Sequence, residues 1–443
     1  MALRSSSARL FATASSPLSG NHHKVVVVGA GAAGLSVANM LYNRFADAGK
    51  TLADGDVAIV DGSKLHHYQP GWTLVGSGLA QKQDLAKPVS SLIPSYIHHH
   101  AHHASTFSPS TNSVTLASGG PTLTYDYLVV CPGLQTNFKA VAGLEDALSV
   151  GTKESKVGSI YGYEYCDQVW DSIESFDGKK AIFTQPKGII KCAGAPQKVM
   201  WMARSQWARQ GKNVDVNFIS GMPTMFAVPK YSQALVKLAE ERGVNVSNNL
   251  DLVSLSHTNR TATFKNADGE SVTKDFDFLH VVPPQGPLDT LKNSPLTDVS
   301  GYVTVSSSSL QHTEFPNVFA LGDASSLPTS KTEAAITSQT PVVVENLLAE
   351  MEGKKGLAVY GGYTSCPLLT GHNELLLAEF KYGGIPDETF AKFGIDQAKP
   401  NKLFYHLKKD IFPYSHYNFM VKGKWFGRSG LFAPRFDAPV EKQ

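Results

Sequence analysis

The sequence predicts an α/β architecture of two Rossmann-like domains followed by a carboxy-terminal segment, on three observations. Residues 25–28 (VVVV) run into Gly29-Ala30-Gly31-Ala32-Ala33-Gly34 and on into LSVANMLYNRF, the order strand, turn, helix. Two later apolar runs, 125–133 (YDYLVVCPG) and 315–323 (FPNVFALGD), also end in small-residue turns. The 443 residues leave room for roughly three units of about 150 residues each. The expected division is a discontinuous first domain (24–150 and 300–350), a second at 151–299, and a carboxy-terminal region at 351–443.

Composition narrows the function classes. With 42% apolar and 18% charged residues the chain is too apolar for a disordered protein. Forty basic against 38 acidic side chains give a net charge of +2, too balanced for a protein whose business is gripping nucleic acid. Cys131, Cys166, Cys192 and Cys366 fit neither a zinc-ligand spacing nor a CxxC redox motif. Residues 1–20 carry Arg4 and Arg9 among serines and alanines, and the first acidic residue of the chain is Asp47. That is the composition of a mitochondrial transit peptide, so this stretch is set aside from the fold. The uncharged run 25–43 is long enough to suggest a membrane span, but its glycine turn splits it into strand and helix.

The elements follow in order. Gly29, Gly31 and Gly34 allow the backbone to approach a pyrophosphate, and the helix opening at Ala32 and Ala33 aims its dipole and free N–H groups at the anion. The next strand, 56–61 (DVAIVD), ends on Asp61, placed to accept hydrogen bonds from a ribose diol; the insertion ADAGKTLADGD explains the long spacing before it. Residues 97–103 (IHHHAHH) resemble a metal tract, yet no carboxylate or cysteine supports it, so they read as incidental surface histidines with no metal site. Gly133 and Asp323 close the two later strands. A helix opened by Thr329, Ser330 and Thr332 follows.

Together these segments resemble the flavoproteins with two dinucleotide-binding domains, of the disulfide reductase-like type that binds FAD and NAD(P). The resemblance implies FAD as cofactor. Gly29, Gly31, Ala32, Ala33 and Gly34 would meet its pyrophosphate, Asp61 its ribose, Ala104 its adenine and Asp323 its ribityl chain. Gln69 and Gly133 would complete the contacts, and Lys331 would add charge where the following helix faces the flavin pyrimidine. Such proteins usually carry a second GxGxxG for a nicotinamide cofactor. Here residues 179–198 (KKAIFTQPKGIIKCAGAPQK) supply a strand and a helix with no glycine phosphate loop between them. The turn presents Cys192 between Lys191 and Lys198, which favours thiolate. The electron donor is therefore expected not to be a pyridine nucleotide. Cys366 sits in GGYTSCPLLTG, with Pro367 fixing the backbone after it. The sequence leaves open whether these two cysteines meet or lie buried and inert.

KCAGAPQK, YTSCPLLTG, HHYQPGWTLVGSG and FALGDASSLPTSKT together resemble the mitochondrial sulfide:quinone oxidoreductases, over nearly the whole chain after residue 24. The resemblance implies that Cys192 and Cys366 form a redox pair that hydrogen sulfide attacks by thiol exchange. Cys366 would hold the persulfide and Cys192 would be the thiolate facing the flavin. Electrons would pass through FAD to ubiquinone, and the sulfane sulfur to an acceptor such as sulfite or glutathione. Cys131 and Cys166 are expected to be structural. The enzymatic rival is a type II NADH:quinone dehydrogenase, and the rival of another class is a flavin-bearing redox scaffold without turnover.

A lipid-soluble quinone calls for a bilayer surface. Leu403, Phe404, Leu407 and Ile411 recur at helical spacing beside Lys408, Lys409 and Asp410. After Pro413 come Tyr414, Tyr417, Phe419, Met420, Trp425 and Phe426 among Lys422, Lys424 and Arg428. Aromatic bodies with basic heads suit a peripheral position on the mitochondrial inner membrane, or equally a terminal helix pair packed on the core. Phe404 is the residue placed at the quinone ring by the family pattern.

Overall fold

The computed structural model describes residues 20–436, so the expected transit peptide lies outside the described residues except for Gly20. The first sheet is built from β1 (His22–Val28), β2 (Val57–Val60), β3 (His98–His100), β4 (Ala104–Ser108), β5 (Ser113–Leu116) and β6 (Thr122–Val130), in the order β3-β2-β1-β6-β5-β4. β3, β2, β1 and β6 run parallel, and Val25 through Val28 register against both Val57–Val60 and 127–130. These valines are at most 3% exposed because both faces of a parallel sheet are covered, which is why the run is continuous rather than alternating. The helix α1 (Ala32–Asp47) starts three residues after β1, so the uncharged run is strand, turn and helix. No helix among the described residues is long and apolar enough to cross a membrane.

The second sheet is parallel throughout: β7 (Val157–Gly158), β8 (Lys180–Gln185), β9 (Asp215–Ser220), β10 (Val244–Ser247) and β11 (Phe278–His280), in the order β7-β11-β8-β9-β10. Between β8 and β9 runs α2 (Ala195–Arg209), whose Val199, Met200, Trp201, Met202 and Ala203 are all buried. The chain then returns to the first sheet: β12 (Val318–Ala320) pairs in parallel with β6 and leads into α3 (Glu333–Met351), capped by the Thr332 hydroxyl accepting from Ala335 N–H. A hairpin of β13 (Thr364–Gly371) and β14 (Glu374–Lys381) packs on α2. The carboxy-terminal stretch folds back across the first domain, where Ser36 and Asn39 of α1 donate to the carbonyls of Met420 and Val421.

Two expectations need correction. The histidine run is a surface tract only in part: His98–His100 forms the edge strand β3 and His98 and His103 are exposed, but His100 is 8% exposed, and its Nε2 lies 2.8 Å from His23 Nε2. Burial pushes the His100 pKa down to about 4. Nor do Leu403, Phe404, Leu407 and Ile411 share one face. Leu403 and Ile411 are exposed, while Phe404 is fully buried against Phe390, with ring centroids 5.0 Å apart.

Candidate active site

The turn after β1 does what its glycines require. Gly29 has φ +109°, and a Cβ there would meet the Cys131 carbonyl oxygen at 2.6 Å. A Cβ on Gly34 would overlap the Gly29 carbonyl, whereas one on Gly31 would meet nothing within 4 Å. The space in front of α1 is thus open, its first turn has no side-chain cap and no acidic residue, and its N–H groups face outward. Asp61 Oδ2 accepts from Ala30 N–H at 2.6 Å and Oδ1 from Ser63 N–H at 2.8 Å, which ties the end of β2 to the glycine turn. Ala104 opens β4 and is buried, and Gly133 turns at φ +83° after β6. Asp323, following β12, is half-buried; burial pushes its carboxyl up, offset in part by Lys191 and Lys331. An open glycine turn, an uncapped helix start, and carboxylates at two strand ends fit an elongated dinucleotide such as FAD.

Lys331 is bonded within its own loop. Its ammonium donates to the Ser325 carbonyl at 2.6 Å and lies 5.0 Å over the Tyr302 ring, so it braces its own loop. Burial lowers its pKa to about 8. Exposed Gln69 accepts from Lys191 Nζ at 3.1 Å and so borders the sulfur turn.

In the second sheet the corresponding turn carries sulfur. Cys192 adopts φ +52°, a left-handed conformation costly for a residue with a Cβ. It is held there by its N–H donating to the Lys331 carbonyl at 2.7 Å and its own carbonyl accepting from Ala195 N–H at 2.8 Å. The side chain therefore sits at the amino-terminal end of α2. Cys366, 1% exposed on β13, brings its Sγ to 3.3 Å from Cys192 Sγ. A Cβ on Gly194 would lie 2.6 Å from Cys366 Sγ, so only glycine leaves room for this approach.

Electrostatics divide the pair. The hydrogen bond from Cys366 holds the Cys192 thiol well below its ordinary value, and the charge of Lys198 and its Nζ–H, 3.2 Å from Sγ, add to the effect against burial. Hydrogen bonding to Cys192, with burial, pushes Cys366 up. The arrangement is a Cys192 thiolate accepting from a Cys366 thiol. Burial pulls Lys198 down, but the two sulfurs outweigh it and keep the ammonium charged although only 2% exposed. Cys131 and Cys166 are buried, and burial pushes both thiols up, Cys166 to about 12.

Lys408 is not one of the basic heads that the terminal segment turns to solvent. It is 2% exposed, donates to the Pro70 carbonyl at 2.9 Å, and has its pKa lowered to about 7 by burial and then by Lys198. Its position four residues after buried Phe404, on the same side of the helical stretch, was the available signal. Phe404 itself fills the core with Leu74, Met202, Leu369 and Leu375 and offers no face to a quinone, because β14 and the helix that carries it close over the ring.

Comparison with known proteins identifies the family and the fold. A family model described as pyridine nucleotide-disulphide oxidoreductase matches residues 23–169. Over 432 residues the chain is 46% identical to the mitochondrial sulfide:quinone oxidoreductase of Schizosaccharomyces pombe, covering 94% of each chain. The chain belongs to the mitochondrial sulfide:quinone oxidoreductase family. A second member, from Dictyostelium discoideum, is 41% identical over 94% of this chain and 89% of its own. The solved sulfide:quinone oxidoreductase of Aquifex aeolicus shares the fold, with a TM-score of 0.71 at 17% identity over 90% of this chain and 92% of that one. Sulfide:quinone oxidoreductases of this family are FAD-dependent enzymes, in keeping with the open glycine turn.

Proposed function

We propose that this chain oxidises hydrogen sulfide at a Cys192–Cys366 bridge and passes the electrons through FAD to ubiquinone. The observation that carries the reading is the 3.3 Å approach of the two sulfurs, with Lys198 bonded to one of them. Hydrosulfide attacks the Cys366 sulfur of the oxidised bridge, the S–S bond breaks, and Cys192 leaves as thiolate. The pull on Cys192 from Lys198 and from the amino-terminal end of α2 makes it the better leaving group, so the incoming sulfur stays on Cys366 as a persulfide. A nucleophile such as sulfite, glutathione or a second sulfide removes the outer sulfur, the persulfide proton is released, and Cys366 is left as thiolate. When the two thiolates close the bridge again they release an electron pair, and FAD held by the β1 turn would supply the two-electron carrier between that pair and ubiquinone.

The ligand assignments for FAD are those its motifs suggest: Gly29, Gly31, Ala32, Ala33 and Gly34 at the pyrophosphate, Asp61 at the ribose, Ala104, Gly133 and Gln69 along its length, and Asp323 at the ribityl chain. Lys331 supports the Asp323 end by holding its loop. Exposed Phe393, Leu403, Ile411, Tyr414 and Phe432 favour docking on the mitochondrial inner membrane, where the quinone dissolves.

Stopped-flow mixing tests this. Sulfide should bleach the flavin and raise a long-wavelength thiolate-to-flavin band. Cys192→Ser and Cys366→Ser should each lose the bleaching, by on the order of a thousandfold or more, while keeping FAD bound. Rapid bleaching by NADH would favour the dehydrogenase, and no response to either donor the scaffold.

A further inference from the structure

Two buried histidines and a partly exposed glutamate from distant parts of the chain meet in a row at the start of α3. His66 Nδ1 lies 2.9 Å from the Ala30 carbonyl oxygen, His66 Nε2 lies 2.8 Å from His416 Nε2, and His416 Nδ1 lies 2.9 Å from Glu333 Oε1. His66 and His416 are 3% and 1% exposed, and the Glu333 side chain 17%.

Counting donors places the protons. A carbonyl only accepts, so His66 Nδ1 carries the hydrogen of that bond. Burial, then the neighbouring His416, lowers the His66 pKa to about 3, so its Nε2 is bare and accepts. His416 must then donate from Nε2. Its Nδ1 faces a carboxyl oxygen, and a hydrogen bond there requires one proton between them, as imidazolium with carboxylate or imidazole with carboxylic acid. Both forms are neutral overall, which is how buried surroundings can hold a transferable proton at low cost. The His66 end is closed by the Ala30 carbonyl; the Glu333 end is open. Tyr68 and Tyr417 stand at 4.9 and 4.7 Å from the His416 ring, His67 and Asp61 act on His66, and Lys408 and Cys192 lie on the side of Glu333.

The sulfur exchange above releases the proton that hydrosulfide brings and takes none up, whereas reduction of a quinone consumes two. We propose that the His416–Glu333 pair supplies one of the protons taken up when quinone is reduced, with His66 as the positioning residue that fixes the His416 tautomer; this rests on the quinone reading above. The quinone gains two electrons and two protons. The electron pair and one proton come from the reduced cofactor, the second proton comes from the pair, and water refills it at the exposed edge of Glu333.

The test uses the full holoenzyme, reduced with dithionite so that it does not depend on sulfide, and follows flavin reoxidation by a short-chain ubiquinone or by ferricyanide, which takes up electrons without protons. Glu333→Gln should reoxidise with quinone on the order of a hundredfold more slowly, with a deficit that grows as pH rises, and within about twofold of the unaltered protein with ferricyanide. In 15N spectra of histidine-labelled oxidised protein, His416 Nδ1 should carry or share a proton, and should become bare in Glu333→Gln. An unchanged quinone rate, an equal slowing with both acceptors, or a His416 Nδ1 signal that is the same in the unaltered protein and in Glu333→Gln would overturn the proposal. An unaltered enzyme that ferricyanide reoxidises and quinone does not would instead overturn the quinone reading itself.

Discussion

The chain turns from a parallel strand into a helix twice in equivalent ways, after β1 and after β8, and fills the two turns differently. After β1, Gly29 and Gly34 let the turn close tightly and Gly31 leaves the space in front of α1 open, and the start of α1 has neither a cap nor an acidic neighbour. After β8 the turn is occupied: Cys192 in a left-handed conformation, Cys366 beside it, and Lys198 of α2 reaching back to the sulfur. A helix amino terminus stabilises a phosphate or a thiolate by the same orphan N–H groups and dipole. Which one it serves is decided by whether the turn leaves a cavity or places a sulfur in it.

That contrast can be broken at matched positions. Gly34→Ala pushes a Cβ into the Gly29 carbonyl, and Gly194→Ala puts one 2.6 Å from Cys366 Sγ. Overpacking of this kind costs about 1–3 kcal/mol, or about tenfold to a hundredfold. The first should weaken FAD binding, read by flavin fluorescence released on dilution. The second should keep FAD and slow sulfide-driven bleaching by a similar factor. If both lost FAD alike, the two turns would not have separate duties.

A smaller effect sharpens the electrostatic half. Cys192 is held below its ordinary pKa, so it stays thiolate down to lower pH than a free cysteine. Lys198→Met removes a charged hydrogen bond worth about 1.5–3 kcal/mol, which raises the Cys192 pKa. The acid limb of the pH profile for bleaching should move to higher pH, with the largest loss below neutrality and little change at pH 9. An acid limb that stays in place would separate Lys198 from the sulfur chemistry.

The shape of the first turn was legible in the sequence because it is local: GAGAAG and the strand ending on Asp61 are contiguous strings whose backbone course follows from their residues. The second was only half legible. Cys192 and Cys366 stood out by their flanks, but what joins them is the Lys331 carbonyl from another domain and the missing Cβ of Gly194. Lys408 is hidden from the sequence because an amphipathic segment ordinarily turns its lysines to water, and the burial of Phe404 because a family pattern gives a position in the chain and not its packing. The fold instead lays that segment across the first domain and buries both. His66, His416 and Glu333 left no signal because each hydrogen bond spans parts of the chain remote in sequence.

The central claim is that Cys192 and Cys366 are one redox unit and the other two cysteines are not. Peptide mapping of air-oxidised protein, alkylated without reduction, tests it most directly. A cross-linked peptide pair containing Cys192 and Cys366 should appear and dissolve on treatment with sulfide or a thiol, while Cys131 and Cys166 are alkylated only after unfolding. Recovery of Cys192 and Cys366 as separately alkylated peptides from the oxidised enzyme would contradict the account.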